Sequence, residues 1–287
     1  MMPAYNSGRT ISFALASLIA QTYENWECVV VDDGSTDDTL AQASAIRDPR
    51  IKILAQRENA GEAAARQIAI DNSKGALFAM LDADDWLYPE KLAKQVETIK
   101  TSGDLFLVSC GMAIAGLDGN LLGVRAAGSG ERARYLRPGD LPVAHASSLF
   151  RRDGFGHVGY DIKMKMASDS DFLRRTMLGR TYVVMPYVGY CYRELGSARL
   201  GKIVAGYYYN ARGLAKFLKA KPLPVAWCIL QELGKMVVYL ILGPLGLFRV
   251  LIRRRSRPPS DAEREEFLRA KAVVEAVHER ILAEKSR

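Results

Sequence analysis

Along this chain short apolar runs end in acidic turns, and each turn leads into a segment of helical period. Pro3 to Asn6 reads as a strand end, followed by a loop with Ser7 and Gly8. Thr10 can cap a helix that presents Ile11, Phe13, Leu15, Leu18 and Ile19 on one face. Glu27 to Val31 is a β-branched run ending at Asp32-Asp33-Gly34-Ser35, and a helix begins near Asp38 to Thr39. Arg50 to Leu54 predicts a third strand, and Asn59-Ala60-Gly61-Glu62 opens a helix that stops around Lys74-Gly75. Leu77 to Leu81 predicts a fourth strand, which runs into Asp82, Asp84 and Asp85; Trp86, Tyr88 and Pro89 then lead into a helix from Glu90 to Lys100. Strands alternating with helices in this way predict an α/β fold with a mainly parallel, mixed sheet and right-handed crossovers.

Past Lys100 the pattern changes. Asp104 to Cys110 predicts a further strand, and Met112 to Arg125 a hairpin turning at Leu117-Asp118-Gly119-Asn120. Gly128 to Gly139 is glycine-rich, basic and polar, so it reads as a mobile loop over a site. His145 to Phe150 and Thr181 to Tyr192 read as strands, and a helix continues through Phe172, Leu173 and Met177 after Ala167-Ser168-Asp169-Ser170-Asp171. Leu223 to Ile252 is more apolar, and Met236 to Phe248 carries no charge, but Gly243-Pro244-Leu245-Gly246 interrupts it. A spanning helix needs about 20 apolar residues. A re-entrant or interfacial helical hairpin anchored by Arg249 and the run Arg253 to Arg257 fits better; the plainer alternative is an apolar helix packed on the catalytic domain. Pro258-Pro259 breaks the chain, and Ser260-Asp261-Ala262-Glu263 starts an amphipathic C-terminal helix. The expected organisation is one α/β domain over residues 1–200, a helical membrane-associating segment over 201–257, and a terminal helix over 258–287.

The 287 residues suffice for a large core, and 49% apolar with 25% charged content excludes disorder as the default. A net charge of +8 points to nucleic acid, an anionic membrane or phosphate-bearing substrates. The densest basic run directly follows the apolar segment, which favours a membrane surface over a nucleic-acid groove. Cys28, Cys110, Cys191 and Cys228 show neither CxxC pairing nor zinc spacing, so they read as buried apolar residues in a reducing compartment. The chain opens almost inside its first motif, so its start reads as truncated or misassigned, with a shortened first strand.

Chemistry concentrates where the strands end. Two strands deliver carboxylates, at Asp32-Asp33 and at Asp82 to Asp85, to the edge of the sheet where open α/β folds bind ligands. Three acids within four positions repel one another and suit a shared cation, Mg²⁺ or Mn²⁺, whose remaining positions take substrate phosphates. The plainer alternative is a solvated acidic turn capping the next helix.

The motifs Pro3-Ala4-Tyr5-Asn6, Gln21-Thr22-Tyr23-Glu24-Asn25-Trp26-Glu27, Val31-Asp32-Asp33-Gly34-Ser35-Thr36-Asp37, Asn59-Ala60-Gly61 with Arg66, Leu81-Asp82-Ala83-Asp84-Asp85 and Ala167-Ser168-Asp169 occur in this order. Together they resemble a family 2 glycosyltransferase of the GT-A fold, over about the first 195 residues. The resemblance implies a nucleotide-diphosphate-sugar donor, with a UDP-sugar the leading expectation, a divalent cation, and inversion at the sugar carbon. It implies that Pro3, Ala4 and Tyr5 line the nucleotide pocket and that Asp33 hydrogen-bonds the base. Asp82 and Asp84 become the DxD pair, with Asp84 the direct metal ligand and Asp85 an alternative one position along. Asp169 matches the general base; the acid that usually precedes it is Ser168 here, which leaves Asp171 as a rival. A carboxylate in that position is otherwise an ordinary N-cap. Arg66 is a candidate for donor phosphate against the plainer reading of a solvated helix face. His145 and His157 are weaker candidates for the acceptor site.

Processive members of the resembled family carry a Gln-x-x-Arg-Trp stretch after the base region; none follows here, so the resemblance implies transfer of one sugar per encounter, and a single broken apolar segment does not suit polymer extrusion. The predicted protein is thus an inverting, non-processive glycosyltransferase at the cytoplasmic membrane face, peripheral or monotopic. Its acceptor is a glycan or a lipid-linked sugar of cell-surface polysaccharide or glycolipid synthesis. A nucleotidyltransferase is the rival enzyme, but Tyr5-Asn6-Ser7-Gly8 is not a glycine-rich phosphate loop. A non-catalytic, nucleotide-binding membrane scaffold is the remaining class.

Overall fold

The computed structural model describes residues 1–154, 156, 158–193, 200–244 and 255–285. The first half forms β1 (Met2–Ala4), α1 (Ile11–Ile19), β2 (Cys28–Asp32), α2 (Thr39–Ser44), β3 (Ile51–Ala55), α3 (Glu62–Asp71), β4 (Leu77–Ala79), β5 (Trp86–Leu87) and α4 (Lys91–Lys100). Strands β1, β2 and β3 make a parallel sheet in that order. All five residues of β2 are buried, as expected of a strand covered on both faces. Cys28 and Val30 belong to the core under α1 and α4, while Val29 and Val31 join the core on the other face, under α3.

A larger, mixed sheet adds β6 (Leu105–Ala115), β7 (Leu121–Arg125), β8 (Arg132–Arg134), β9 (Leu149–Arg151) and β10 (Thr181–Arg193) in the order β4-β9-β6-β10-β5, with β7 on β6 and β8 on β10. The long pair β6–β10 is parallel. Pro186 lies where its register slips, between Val184 and Val188, as suits a residue with no N–H for the ladder. The two sheets meet at β1 and β4. The Met1 amino group donates to the Ala79 carbonyl (2.9 Å), and the Leu81 N–H donates to the Met1 carbonyl (3.1 Å). The carboxyl ends of β1, β2 and β4 therefore open on one edge, the prerequisite for a shared site.

Three expectations change. Gly128 to Gly139 is not a mobile loop: it contains β8, and Gly128 and Gly130 donate to Met185 and Val184 of β10. A side chain at Gly128 would collide with Val184, so the glycine serves close approach rather than mobility. The strand expected over His145 to Phe150 is confined to β9, because Ser148 turns back to donate to the His145 carbonyl. Thr10 makes no side-chain cap to α1; its hydroxyl donates to the Ser7 carbonyl instead.

The remaining helices are α5 (Ser168–Met177), just before β10, and α6 (Leu200–Ala215), α7 (Pro222–Leu242) and α8 (Asp261–Lys285) after it. Helix α7 is continuous over 21 residues up to Gly243-Pro244 and is long and apolar enough to cross a membrane. It has two stripes. Val225, Glu232 and Tyr239, seven apart, are buried, while Leu223, Trp227, Leu230, Val237, Val238 and Ile241 lie on the opposite, exposed face. The second arm of the expected hairpin lies outside the described residues, as do Arg249, Arg253 and Arg254. Helix α8 opens with the expected capping box: Ser260 N–H donates to Glu263, and Glu263 N–H to the Ser260 hydroxyl. It then returns to the core, where Phe267, Ala270, Val274 and Ile281 are buried and His278 meets Ser12 of α1 at 2.9 Å.

Candidate active site

The turn out of β4 is fastened from β10. The Tyr190 hydroxyl donates to Asp85 (2.7 Å) and accepts the Asp82 N–H (3.2 Å), and the Arg193 N–H donates to the other Asp85 oxygen (2.7 Å). Asp85 is 1% exposed and both its oxygens are engaged within the protein. Burial, with Asp84 and Asp82 beside it, pushes its carboxyl well above the usual range. Asp84 is half-buried, and its carboxyl is likewise raised, by burial first and then by Asp82. Asp82 Oδ1 is a buried atom without a hydrogen-bond partner, 3.5 Å from the Arg66 guanidinium.

Crowded carboxylates, one with an unpartnered buried oxygen, are the electrostatic signature of a place for a cation. Among the described residues no group of three or more His, Cys, Asp or Glu forms a ready-made cage. Two carboxylates with the remaining positions left to phosphate oxygens and water suit Mg²⁺ or Mn²⁺ and would not satisfy zinc.

A second carboxylate cluster opens α5. Ala167 takes the left-handed conformation (φ 55°) immediately before Ser168. Asp169 shares a cleft of about 580 Å³ with Glu62, Arg66, Asp82 and His145. Burial works to raise its carboxyl, but the Arg66 guanidinium, together with smaller contributions that include the Ser170 N–H and Arg174, leaves it below the usual range. Asp171, the sequence rival, is fully buried and spent on structure: Arg175 reaches it at 2.8 Å and Lys216, just past the end of α6, at 2.7 Å.

Arg66 is buried rather than on a solvated face. It donates to Glu62 (2.6 Å) and to the Ser168 hydroxyl (3.3 Å), and its Nε has no partner. Glu62, Asp82 and Asp169 keep it charged against the cost of burial. His145 is buried with its Nε2 2.6 Å from the Tyr160 hydroxyl; burial and Arg66 push its pKa down to about 3, so it is a neutral imidazole at physiological pH. His157 lies outside the described residues.

The nucleotide-side candidates stand on the adjoining strand ends. The Ala4 carbonyl accepts the Asp33 N–H (2.8 Å), next to buried Pro3, and Tyr5 projects with 48% exposure. The Asp33 carboxylate is buried and accepts the N–H groups of Ala60 (2.9 Å) and Gly61 (2.8 Å), which straps the loop before α3 to β2. Tyr190, Glu62, Lys202 and Arg255 belong to the site or its wall and escaped sequence reasoning. Their only sequence signal is polar or aromatic character; Tyr190 in addition finds its partner Asp85 105 residues away.

A family model described as glycosyl transferase family 2 matches residues 1–159. The succinoglycan biosynthesis protein ExoO of Rhizobium meliloti (strain 1021) is 32% identical over 215 residues, which are 74% of this chain and 60% of that protein. The Escherichia coli UDP-Glc:alpha-D-GlcNAc-diphosphoundecaprenol beta-1,3-glucosyltransferase WfgD is 37% identical over 107 residues, 37% of this chain and 42% of that one. The chain thus spans about half the length of these curated relatives. Among solved structures, S. aureus TarS 1-349 in complex with UDP-GlcNAc superposes with a TM-score of 0.62 at 20% identity, covering 98% of this chain and 82% of that one. The mannosyltransferase PcManGT from Pyrobaculum calidifontis, in complex with GDP-Man and Mn2+, gives 0.59 at 17% identity, covering 98% and 85%. These likenesses show a shared GT-A-type fold.

Proposed function

From the premise that this chain belongs to glycosyl transferase family 2, we propose that it moves a sugar from a nucleotide-diphosphate-sugar, a UDP-sugar first, to a lipid-linked or glycan acceptor in surface-polysaccharide synthesis. Transfer is by single displacement with inversion, one sugar per encounter. The observation that supports it most is the meeting, in one cleft, of Asp82, from the crowded turn after β4, with an ionised Asp169 held beside the buried Arg66. The name of one relative includes a UDP-sugar and a diphosphate-linked lipid, which favours that donor and acceptor class.

Asp84 and Asp82 would hold the Mg²⁺ or Mn²⁺, with Asp85 positioning the turn through Tyr190. The cation, when bound, supplies the positive charge that stabilises the departing nucleoside diphosphate. Asp169 accepts the proton of the acceptor hydroxyl as that oxygen attacks the sugar carbon, a contribution of roughly 10²–10⁴-fold. Arg66 keeps Asp169 ionised and sets the spacing between it and Asp82. Pro3, Ala4 and Tyr5 border the nucleotide, with the exposed Tyr5 ring available to stack on the base. Asp33 holds the loop at 60–61 and reads the base through its remaining lone pairs. The exposed apolar stripe of α7 and the basic run after it seat the protein on the cytoplasmic membrane face as a peripheral or monotopic enzyme.

The test is release of nucleoside diphosphate by the full chain from a panel of donors, with and without Mn²⁺. Metal-dependent release from one donor, abolished by Asp84→Ala, is expected. A folded protein that binds no donor in a metal-dependent manner would overturn the reading.

A further inference from the structure

The cleft is lined in part by Lys202 and Ile203 of α6 and by Arg255, and this part carries cations that the proposed chemistry does not use. Lys202 of α6 and Arg255 both line the cleft, and neither makes an ion pair with a carboxylate among the described residues. Arg255 is nevertheless held in place. One terminal nitrogen donates to the hydroxyls of Tyr207 of α6 (2.7 Å) and Tyr239 of α7 (3.1 Å), and the guanidinium sits 5.9 Å from the Tyr239 ring centroid. The two tyrosine rings lie 5.4 Å apart and so form a common platform. Neutral hydroxyls orient the guanidinium without cancelling its charge, which stays available to an anion such as phosphate.

Tyr239 belongs to the buried stripe of α7, whose opposite face is the exposed apolar stripe. The same helix thus holds the cleft arginine on one side and offers a surface for lipid on the other. An acceptor whose charged head lies just above the membrane plane would meet Arg255 and Lys202 on its way to Asp169. We infer that Arg255, oriented by Tyr207 and Tyr239, forms with Lys202 an anion subsite that binds the diphosphate of a lipid-linked acceptor. This rests on the glycosyltransferase reading above, and it separates acceptor diphosphate from donor diphosphate, which falls to the Asp82–Asp84 side.

The test uses the full chain and phosphatidylcholine vesicles doped with farnesyl diphosphate, with farnesol, or with phosphatidylglycerol at matched charge. Binding to the diphosphate vesicles is expected to be about tenfold tighter than to either control, as for charge-assisted contacts from two cations. Arg255→Gln combined with Lys202→Gln brings the preference to within about twofold, and Tyr207→Phe with Tyr239→Phe, which keeps both charges, removes a smaller part of it. UDP binding with Mn²⁺ stays as in the parent protein. Equal binding to phosphatidylglycerol vesicles would overturn the inference in favour of general surface electrostatics. Equally tight binding of free inorganic diphosphate would overturn its lipid half. Loss of UDP–Mn²⁺ binding in the glutamine variant with the lipid preference intact would assign the cations to the donor. Absence of metal-dependent donor binding in the parent protein, with the lipid preference intact, would instead strike the glycosyltransferase reading alone.

Discussion

Two four-residue stretches, Asp82 to Asp85 and Ser168 to Asp171, solve the same problem in opposite ways. Each turns carboxylate toward the cleft and buries another behind it. Behind the first, Asp85 is held by a tyrosine hydroxyl and a backbone N–H, neither of which carries charge. Behind the second, Asp171 is held by Arg175 and Lys216, and Asp169 itself answers to Arg66. In the first stretch Asp84 and Asp85 crowd with Asp82 and are pushed up; in the second, cations surround the acids and the cleft carboxyl is pushed down. A region of the first kind takes a cation, and one of the second kind keeps a base ionised.

The strongest way to break this comparison is to neutralise the two acids of the second stretch separately. Asp169→Asn is expected to lower the transfer rate by about 10²–10⁴-fold while donor binding and stability stay close to the parent. Asp171→Asn leaves Arg175 and Lys216 without their buried partner. Both cations can reach water, so the cost is about 2 kcal/mol rather than the full penalty of an isolated buried charge. Turnover kinetics and urea unfolding of the two variants separate the roles. Lost turnover at unchanged stability in the Asp171 variant would exchange them.

The contrast explains what could be read from the chain. The strand–turn–helix order, and the delivery of acids by β2 and β4 to one edge, follow from local pattern, because adjacent residues determine both. Which acid faces the cleft does not follow, since Asp85 is turned inward by Tyr190, 105 residues away, and Asp171 by Lys216, 45 residues on. Arg66 has the pattern of a surface helix residue until Ser168 closes over it, 102 positions later. The glycines from Gly128 are the same case: glycine marks both mobility and close approach, and only the presence of Val184 decides between them. Long-range partners are the part of the site that local sequence does not encode.

A smaller effect tests the crowding of acids in the first stretch. Asp84 and Asp85 have folded pKa values above the ordinary 3.8, so their contribution to stability is fully present below that value and is lost as pH rises through the raised ones. A divalent cation, binding only the folded ionised site, adds stability back by mass action. Mn²⁺ should therefore raise the thermal midpoint more at pH 7.5 than at pH 5, by a few degrees for about 1 kcal/mol of binding. Asp84→Ala should lose most of the response. An equal shift at both pH values would show that the metal binds elsewhere.

The smallest expected effect concerns how the second stretch is aimed. Ala167, at φ 55° and ψ 26°, is one of three non-glycine residues with positive φ among the described residues, and it stands immediately before the helix that presents Asp169. An alanine in the left-handed region costs about 1–2 kcal/mol over its usual conformations, because its Cβ crowds the following carbonyl. Glycine carries no such cost but gives up more freedom on folding. Ala167→Gly should therefore stabilise the protein by about 0.5–1 kcal/mol, read from the urea midpoint at unchanged slope. The Asp171 N–H donates to the Ala167 carbonyl (3.0 Å), so the same residue sets the first turn of α5. Loosening it should lower turnover a few-fold with little change in donor binding, the trade expected where strain holds a reacting group. A variant that gained stability at full turnover would show that Arg66 and the ion pairs of Asp171 alone suffice to aim Asp169.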